Sequence, residues 1–392
     1  MLFQLEPDQE FFRDTTARFL TEKTPPAEIR RLHTDPFGYD ETYWRRGADL
    51  GWTSLLVDES QGGGSISRDG LVDLTLVAHE FGRRAAPGPL ITTNVVAAAL
   101  SGTLSPTSSG NWTDAHADVL AGLLDGSTIA SWCFTDRRPH QRLGDVALAI
   151  VVDGDELVLN GVKRPVESAN RASHLLVTGR TGSGLTQVLV PRDAAGISVN
   201  DLDGVDLTKR FSEVRFDDVR VPARSLVGEV GAAADQVERQ LQIALVLNTA
   251  ESVGAMQVGF DMTVEYSFDR YSFGRPLASY QALKHRFADM KTALEASHAI
   301  ADAAAAAVVA QTPDAVELSS VAKSYVGDAG DDLLQDCVQL LGGIGVTYEH
   351  DLHLFLRRHT VNRTLFGTPS EHRQRIAGLA ERHEVVEREG AA

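Results

Sequence analysis

The sequence predicts an α+β multidomain chain in three consecutive blocks: an N-terminal helical domain, a central antiparallel β-domain and a C-terminal four-helix bundle. Three observations carry that prediction. Apolar residues recur at helical spacing up to about Gly126, short β-rich runs alternate with turn residues from about Thr128 to Leu226, and helical spacing returns after Gly228 and persists. The corresponding domains are residues 1–126, 127–227 and 228–392. A chain of 392 residues, 43% of them hydrophobic, is long enough for roughly two or three domains with large cores.

The first helix starts at Pro7, which fits a first turn without losing a hydrogen bond, and places Phe12, Thr16 and Phe19 on one face. Gly51-Trp52 and Gly62-Gly63-Gly64 mark loops. A stronger stripe, Leu71, Leu74, Ala78 and Phe81, lines one side of a helix that stops at Gly82 and Pro87. Ser101 to Gly110, rich in Ser, Thr and Gly, reads as a flexible connection. In the middle block the runs Val146–Val152, Leu157–Leu159, Leu175–Val177 and Val188–Val190 are separated by Asp153-Gly154-Asp155, Asn160-Gly161 and Gly182-Ser183-Gly184, read as turns. No long helix lies between these strands, which argues for an antiparallel barrel or sandwich over a doubly wound parallel sheet. Val221-Pro222 closes the block, since proline cannot donate to a ladder. Beyond it, Met256, Phe260, Val264 and Phe268 repeat every four residues within a proline-free stretch, Asp235 to Tyr271, that forms one long helix. A second helix runs from Tyr280 through the Ala-rich Ala299–Ala310 and a third from Val316 to Leu341, giving an up-and-down bundle. No internal repeat is detectable.

With 37 Lys+Arg against 54 Asp+Glu the formal charge is −17. An acidic surface repels phosphate backbones and anionic lipid, which argues against nucleic-acid and peripheral-membrane partners. Cys133 and Cys337 support neither a disulfide framework nor a zinc site and fit a reducing cytosol. The first residues lack a basic region followed by an apolar one, and no apolar run approaches about 18 residues. The chain therefore reads as soluble, untargeted and cytoplasmic.

Two segments offer ligand chemistry. Arg270-Tyr271-Ser272-Phe273-Gly274-Arg275-Pro276, with Gln281 and Lys284-His285-Arg286, supplies a guanidinium fork for phosphate and an amide for a base or ribose edge. Its bland alternative is a positively charged helix C-terminus ended by Gly274 and Pro276. Gln339-Leu340-Leu341-Gly342-Gly343-Ile344-Gly345 either lets backbone approach a ligand or simply ends a helix; it does not follow a strand, so the dinucleotide fingerprint of parallel α/β folds does not apply. His350, Asp351 and His353 have no partner cluster elsewhere and read as helix-start capping and ion pairing, with no metal site. His372 to His383 fall on a charged helix read as a solvated face.

Together, the block order, the Arg270/Phe273-Gly274/Gln281 and Gln339/Gly342-Gly343/Gly345 elements and Phe216-Asp217-Asp218-Val219-Arg220-Val221-Pro222 resemble the acyl-CoA dehydrogenase family of flavoproteins, over nearly the whole chain. The resemblance implies the acyl-CoA dehydrogenase fold and FAD as cofactor, with its pyrophosphate near Arg270 and Ser272, Phe273 among the cofactor-binding residues and Gln281 toward the adenine. It also implies that Gln339, Gly342 and Gly343 are contributed across a subunit interface. Trp132-Cys133-Phe134-Thr135-Asp136 matches the strand flanking the flavin, with Thr135 as hydrogen-bond partner of the isoalloxazine. The implied reaction passes a hydride from the β-carbon of an acyl-CoA to the flavin while a carboxylate removes the α-proton.

The family's base, a Glu before Gly-Thr, is replaced here by Phe366 in Leu365-Phe366-Gly367-Thr368. Its alternative location on the long helix aligns with Ala244, which cannot act either. Glu251 lies seven positions beyond Ala244 on the same face, about 10 Å along the helix. It reads as a displaced catalytic base or as a packing and ion-pair residue. Two further departures affect the flavin surroundings: Arg137-Arg138-Pro139-His140 stands for the family's Gly-Ser-Asp loop, and Pro165-Val166-Glu167 for its aromatic-aliphatic-hydroxyl triplet. Retained donating elements beside an eroded flavin site are what the resemblance implies for the supporting subunit of a heterotetramer. Gly342 to His353 resembles actinobacterial members that act on bulky CoA thioesters, including steroid side chains. The alternatives are a self-sufficient dehydrogenase, homo-oligomeric and using Glu251, a flavin-dependent monooxygenase or oxidase on the same fold, and a pure scaffold.

Overall fold

The computed structural model describes residues 4–104, 116–136 and 145–390, with backbone alone for 382–390. Residues 105–110 of the expected connection and Arg137–His140 lie outside the described residues. Contacts divide the chain into two compact units, one of Met1–Ile29, Thr75–Ala86 and Leu245–Ala392, the other of Arg30–Leu74 and Pro87–Ala244.

Helices come first: α1 (Pro7–Lys23), α2 (Pro26–Leu32), α3 (Glu41–Asp49), α4 (Gly70–Arg84), α5 (Leu90–Ser101) and α6 (Ala117–Leu124). Helix α1 opens on a capping box in which Gln9 Oε1 accepts from the Glu6 amide at 3.1 Å. Its buried face is Gln9, Phe12, Thr16 and Leu20, so Leu20 and not Phe19 completes the stripe. The α4 stripe is buried as its spacing requires, but the helix does not stop at Gly82. It runs on to Arg84 because glycine admits another backbone there: a Cβ on Gly82 would lie 1.8 Å from the carbonyl oxygen of Glu251.

Among the described residues eight strands follow in one sheet: β1 (Ala130–Cys133), β2 (Ala149–Asp153), β3 (Glu156–Glu167), β4 (His174–Thr181), β5 (Gly184–Pro191), β6 (Ile197–Leu202), β7 (Phe211–Pro222) and β8 (Leu226–Val227). Their order is β6-β7-β3-β2-β4-β5-β8, with β1 beside β4. The sheet is mixed where a purely antiparallel one was expected: β4 pairs in parallel with both β1 and β2, and the remaining pairings are antiparallel. Parallel neighbours need a long crossover, usually a helix. Here the intervening strands supply it, so the absence of helices concealed it. Asn160-Gly161 is likewise not a turn. It lies within β3 at a register shift against β7, and Asn160 Oδ1 accepts from the Asp218 amide at 2.9 Å, the pattern of a bulge. The apolar runs form the core of this unit, with Leu159, Val166, Leu175, Leu176, Val177, Val188, Val190 and Val219 fully buried.

After the sheet come α7 (Ala234–Asp269), α8 (Gln281–Ala310), α9 (Ala315–Leu341), α10 (Leu352–Thr364) and α11 (Pro369–Gly390), with a two-stranded hairpin, β9 (Tyr271–Ser272) and β10 (Arg275–Pro276), between α7 and α8. The three long helices predicted from periodicity are present, and α10 and α11 follow them. Alanines on α8 (Ala301, Ala304, Ala305 and Ala307) are buried, consistent with close helix approach. The α7 stripe is buried at Met256 and Phe260 but leaves the core at Phe268, which is exposed. Helices α7 and α8 are long and apolar enough to cross a membrane by length and composition; 83% of the apolar window of α7 and 50% of that of α8 are buried inside the protein. Both cysteines are buried and unpaired, and burial pushes each thiol up to about 12.

Candidate functional site

Phe366 follows the C-terminal cap of α10 in a left-handed conformation, φ 60°, unusual for a bulky side chain. Four contacts hold the segment. The Phe366 carbonyl lies 3.1 Å from His372 Nε2. Glu371 accepts from the amide and hydroxyl of Thr368 at 2.7 and 2.8 Å, while the Glu371 amide donates back to Thr368 Oγ1 at 3.3 Å, a capping box that starts α11. His372 is therefore wholly buried, contrary to the solvated face read from the sequence, because its ring turns inward to the Phe366 carbonyl. Burial, reinforced by Lys323, lowers the His372 imidazole to about 3, so it is neutral. No carboxylate occurs between Leu365 and Thr368, and Ala244 is wholly buried.

Glu251 is 3% exposed, and both of its oxygens are engaged. Oε1 lies 2.7 Å from Arg358 Nη1, and Oε2 accepts from Asn362 Nδ2 at 3.1 Å. Arg358, wholly buried, also donates to the carbonyls of Ala85 and Ala86 at 3.0 and 2.9 Å, at the end of α4 where Ala85 is left-handed. Lys323 on α9 joins the network through Asn248 Oδ1 at 2.6 Å and the Asn362 carbonyl. Burial, reinforced by Arg363, lowers the Lys323 ammonium to about 7. The pairing of Arg358 with Asn362, one turn apart on α10, is the helical-spacing signal that points to this network. A general base needs a lone pair directed at the proton it takes; the Glu251 oxygens are directed at Arg358 and Asn362.

The segment after α7 is a hairpin, where the bland reading expected a glycine-capped helix end. Phe273 and Gly274, φ 49° and 81°, form its two-residue turn. Tyr280 donates to the Ser272 carbonyl at 2.7 Å, and the Arg275 guanidinium sits 3.8 Å over the Tyr280 ring. Arg270, Gln281 and Gln339 are exposed, and no hydrogen bond or ion pair engages their side chains among the described residues. Phe273 is 97% exposed. Gly342 and Gly343 follow α9, and a Cβ on either would meet nothing within 4 Å. These residues fit a nucleotide in chemistry: an uncommitted guanidinium, two uncommitted amides and backbone open to close approach.

In the other unit, Trp132 is buried, stacks on Phe134 at 4.6 Å and donates from Nε1 to Thr178 Oγ1 at 3.1 Å. Thr135 is exposed, and its carbonyl accepts from the Arg164 amide at 2.8 Å. Around it the polar groups are committed. Asp136 pairs with Lys163 at 2.8 Å, and Lys163, whose ammonium is depressed by burial, also donates to the Phe134 carbonyl. Glu167 pairs with Lys209 at 3.0 Å. All four side chains of these pairs are buried. Thr135 thus fits a flavin partner, whereas Pro165-Val166-Glu167 offers no uncommitted donor. His350 Nδ1 accepts from the Leu352 amide at 3.1 Å at the start of α10, and the His353 ring stacks on Tyr348 at 4.8 Å. Among the described residues no group of three or more metal-type ligands converges.

The sequence profile of the acyl-CoA dehydrogenase N-terminal domain matches residues 6–106, and that of the acyl-CoA dehydrogenase C-terminal domain matches residues 234–379. Over 370 residues the chain is 29% identical to acyl-CoA dehydrogenase IpdE2 of Mycobacterium tuberculosis, covering 94% of this chain and 96% of that one. It is 27% identical to the mitochondrial isobutyryl-CoA dehydrogenase of Dictyostelium discoideum, covering 93% and 87%. Among solved structures, a variant of the steroid ACAD Tcur3481-Tcur3483 superposes with a TM-score of 0.85 at 26% identity, over 96% of this chain and 98% of that one. Butyryl-CoA dehydrogenase from Megasphaera elsdenii shares the fold, with a TM-score of 0.83 at 23% identity over 97% and 100%.

Proposed function

Because the chain belongs to the acyl-CoA dehydrogenase family, FAD-dependent oxidoreductases that act on CH–CH bonds of acyl-CoA, we propose that it is the supporting subunit of a heteromeric member, lacking its own base and completing the FAD site of a homologous partner. The observation that carries this reading is the commitment of Glu251. Phe366 and Ala244 cannot accept a proton, and Glu251, a buried carboxylate tied to α10 through Asn362, compensates Arg358. In this family the bound flavin accepts the substrate's β-hydride; the α-proton still needs a base, and the proposed partner supplies it. This chain's contribution is binding: Arg270 and Ser272 toward the pyrophosphate, Phe273 beside them, Gln281 toward the adenine, and Gln339, Gly342 and Gly343 across the interface. Thr135 is the proposed hydrogen-bond partner of an isoalloxazine on this chain's own strand. The exposure of Phe268, Tyr271, Phe273, Ile344, Val346 and Tyr348 on or beside the donating segments supports an interface there.

The likeness to the steroid ACAD, whose name joins two components, supports a bulky CoA thioester, including a steroid side chain, as substrate and a heterotetramer as assembly. Two buried, unpaired thiols support a cytosolic setting. The test is to purify the chain alone and with a co-expressed homologous partner, then count FAD per chain and weigh the complex. The lone chain is expected to hold well under one FAD per chain and to leave an acyl-CoA unoxidised, while the complex holds FAD and oxidises the acyl-CoA. A lone chain with stoichiometric FAD that oxidises acyl-CoA would end the supporting-subunit reading.

A further inference from the structure

We propose that the junction of α7, α9 and α10 around Lys323 is a proton-operated latch: with Lys323 neutral it holds α10 and the Phe366 turn closed, and with Lys323 charged it lets them open. The inference concerns how this chain holds its own candidate site, and it does not depend on the heteromeric reading.

A lysine carries a strongly hydrated ammonium and is almost never wholly buried unless a counter-charge accompanies it. Lys323 is 2% exposed. Its ammonium donates to two neutral oxygens, Asn248 Oδ1 on α7 at 2.6 Å and the Asn362 carbonyl on α10, and no carboxylate pairs with it among the described residues. The Asn362 carbonyl belongs to the last turn of α10, which offers a cation only the partial charge of a helix C-terminus. The charged neighbours do not supply the rest. Glu251 of α7 acts on Lys323 favourably but is paired with Arg358 of α10. Asp328 of α9 is shared by Arg363 of α10 and Arg373 of α11, at 2.9 and 2.6 Å, and Arg363 opposes a charge on Lys323. His359 of α10 and His372 of α11 lie in the field of Lys323, and burial lowers them to about 4 and about 3, so both are neutral at pH 7 and above. No charged group of α8 acts on it.

The junction is also poorly satisfied. On the two partners of Lys323, Asn248 Nδ2 and Asn362 Oδ1 find no hydrogen-bond partner among the described residues, and neither do Ser320 Oγ, one turn earlier on α9, and His359 Nδ1. A buried polar atom without a partner forfeits its hydration, so opening the junction recovers free energy that a satisfied core would lose. Helix α10 runs into the Phe366 turn, where a bulky residue is left-handed at φ 60° and its carbonyl is held by His372. A strained turn beside an under-satisfied junction is where local opening is easiest.

The charge of Lys323 sets the balance. Opening returns the amine to water, where it keeps its proton up to its ordinary 10.5, whereas burial lowers it to about 7 in the closed form. Opening is therefore easiest at and below about pH 7, and it is suppressed as pH rises through the window, by up to about tenfold per pH unit.

The experiment is amide hydrogen exchange of the full chain, read by mass spectrometry from about pH 6 to about pH 9 and corrected for intrinsic exchange rates. Peptides of α10 and the Phe366 turn are expected to hold constant protection up to about pH 7 and to gain up to about tenfold per pH unit above it, while peptides of β5 keep theirs. In Lys323→Met the gain should vanish; Lys323→Gln, which keeps a donor for the Asn362 carbonyl, makes the same test where the first variant does not fold. Wild-type protection that stays flat across the range would overturn the proposal, as would a gain that survives in either variant or one that β5 shares in full.

Discussion

Replacing Glu251 by Gln keeps the size of the side chain and an acceptor for Asn362 but removes the charge that compensates Arg358. The Arg358 guanidinium is then left wholly buried beside the carbonyls of Ala85 and Ala86 without its carboxylate, while Lys323 loses the carboxylate that partly offsets its burial. Removing one partner of a buried pair costs about 3–5 kcal/mol. That is a large share of the roughly 5–15 kcal/mol by which domains are stable. Equilibrium urea unfolding reads the loss as a lower midpoint. The double variant Glu251→Leu/Arg358→Met, which removes both charges, should recover much of it, because an apolar replacement of a buried pair is often neutral or better. In the assembled enzyme, once the variant is folded, the pH profile of kcat/KM should be unchanged. The reasoning is refuted if Glu251→Gln unfolds at the wild-type midpoint while the assembly keeps its FAD and loses turnover by about a hundredfold or more, since that is how a general base behaves.

Lys323→Met tests the same network by titration. Its folded-state ammonium is lowered to about 7 from an ordinary 10.5, so between those values the unfolded chain binds more protons. Wild-type stability should accordingly rise with pH across that window, by up to about 1.4 kcal/mol per pH unit, and the variant should lose this part of the slope; an unchanged slope would place the titration elsewhere. Arg270→Ala removes an exposed side chain with no partner among the described residues. It should leave the urea midpoint of the lone chain within about 0.5 kcal/mol of wild type and lower FAD retention in the assembly by about tenfold or more; equal retention would remove Arg270 from the pyrophosphate.

What was legible in the sequence is what periodicity encodes. Helix α7 was placed within two residues at both ends because 36 residues without proline leave few other solutions. The four apolar runs overlap β2, β3, β4 and β5, although β2 is buried mainly at Ile150. Their partners were not legible, since β1 and β2 reach β4 in parallel through intervening strands, and no local pattern marks that. Asn160-Gly161 has turn chemistry, but β3 continues through it, and the long ladder with β7 overrides the local preference. The site shows the same division. That Phe366 and Ala244 stand where the family places its carboxylate follows from the resemblance. The partners of Glu251 do not follow from it, because Arg358 and Asn362 are more than a hundred positions away and their spacing of four serves any helix face. His372 was misread for a related reason: a single inward histidine on a charged helix leaves no mark on its hydropathy.

The contrast between the two groups of candidate residues follows from the energetics of buried charge. A charge withdrawn from water must be paired within the chain or shift its pKa. Asp136–Lys163, Glu167–Lys209 and Glu251–Arg358 have all been paired in this way, which makes them parts of the fold. Opening any of them to a ligand would cost the compensation first. Arg270, Gln281 and Gln339 carry no such commitment and remain in water, where donating to a phosphate or a base costs little beyond the ordering of a side chain. Phe273 at 97% exposure stands among them, an aromatic surface that water disfavours and nothing in this chain covers among the described residues. A chain that uses its buried charges for itself and leaves its phosphate-type donors outward has the arrangement that the proposed supporting role requires: donors available to a nucleotide site whose remaining walls come from a partner. On the proposed supporting role, the phenyl ring at Phe366 follows from that division of labour, the base being the partner's to supply.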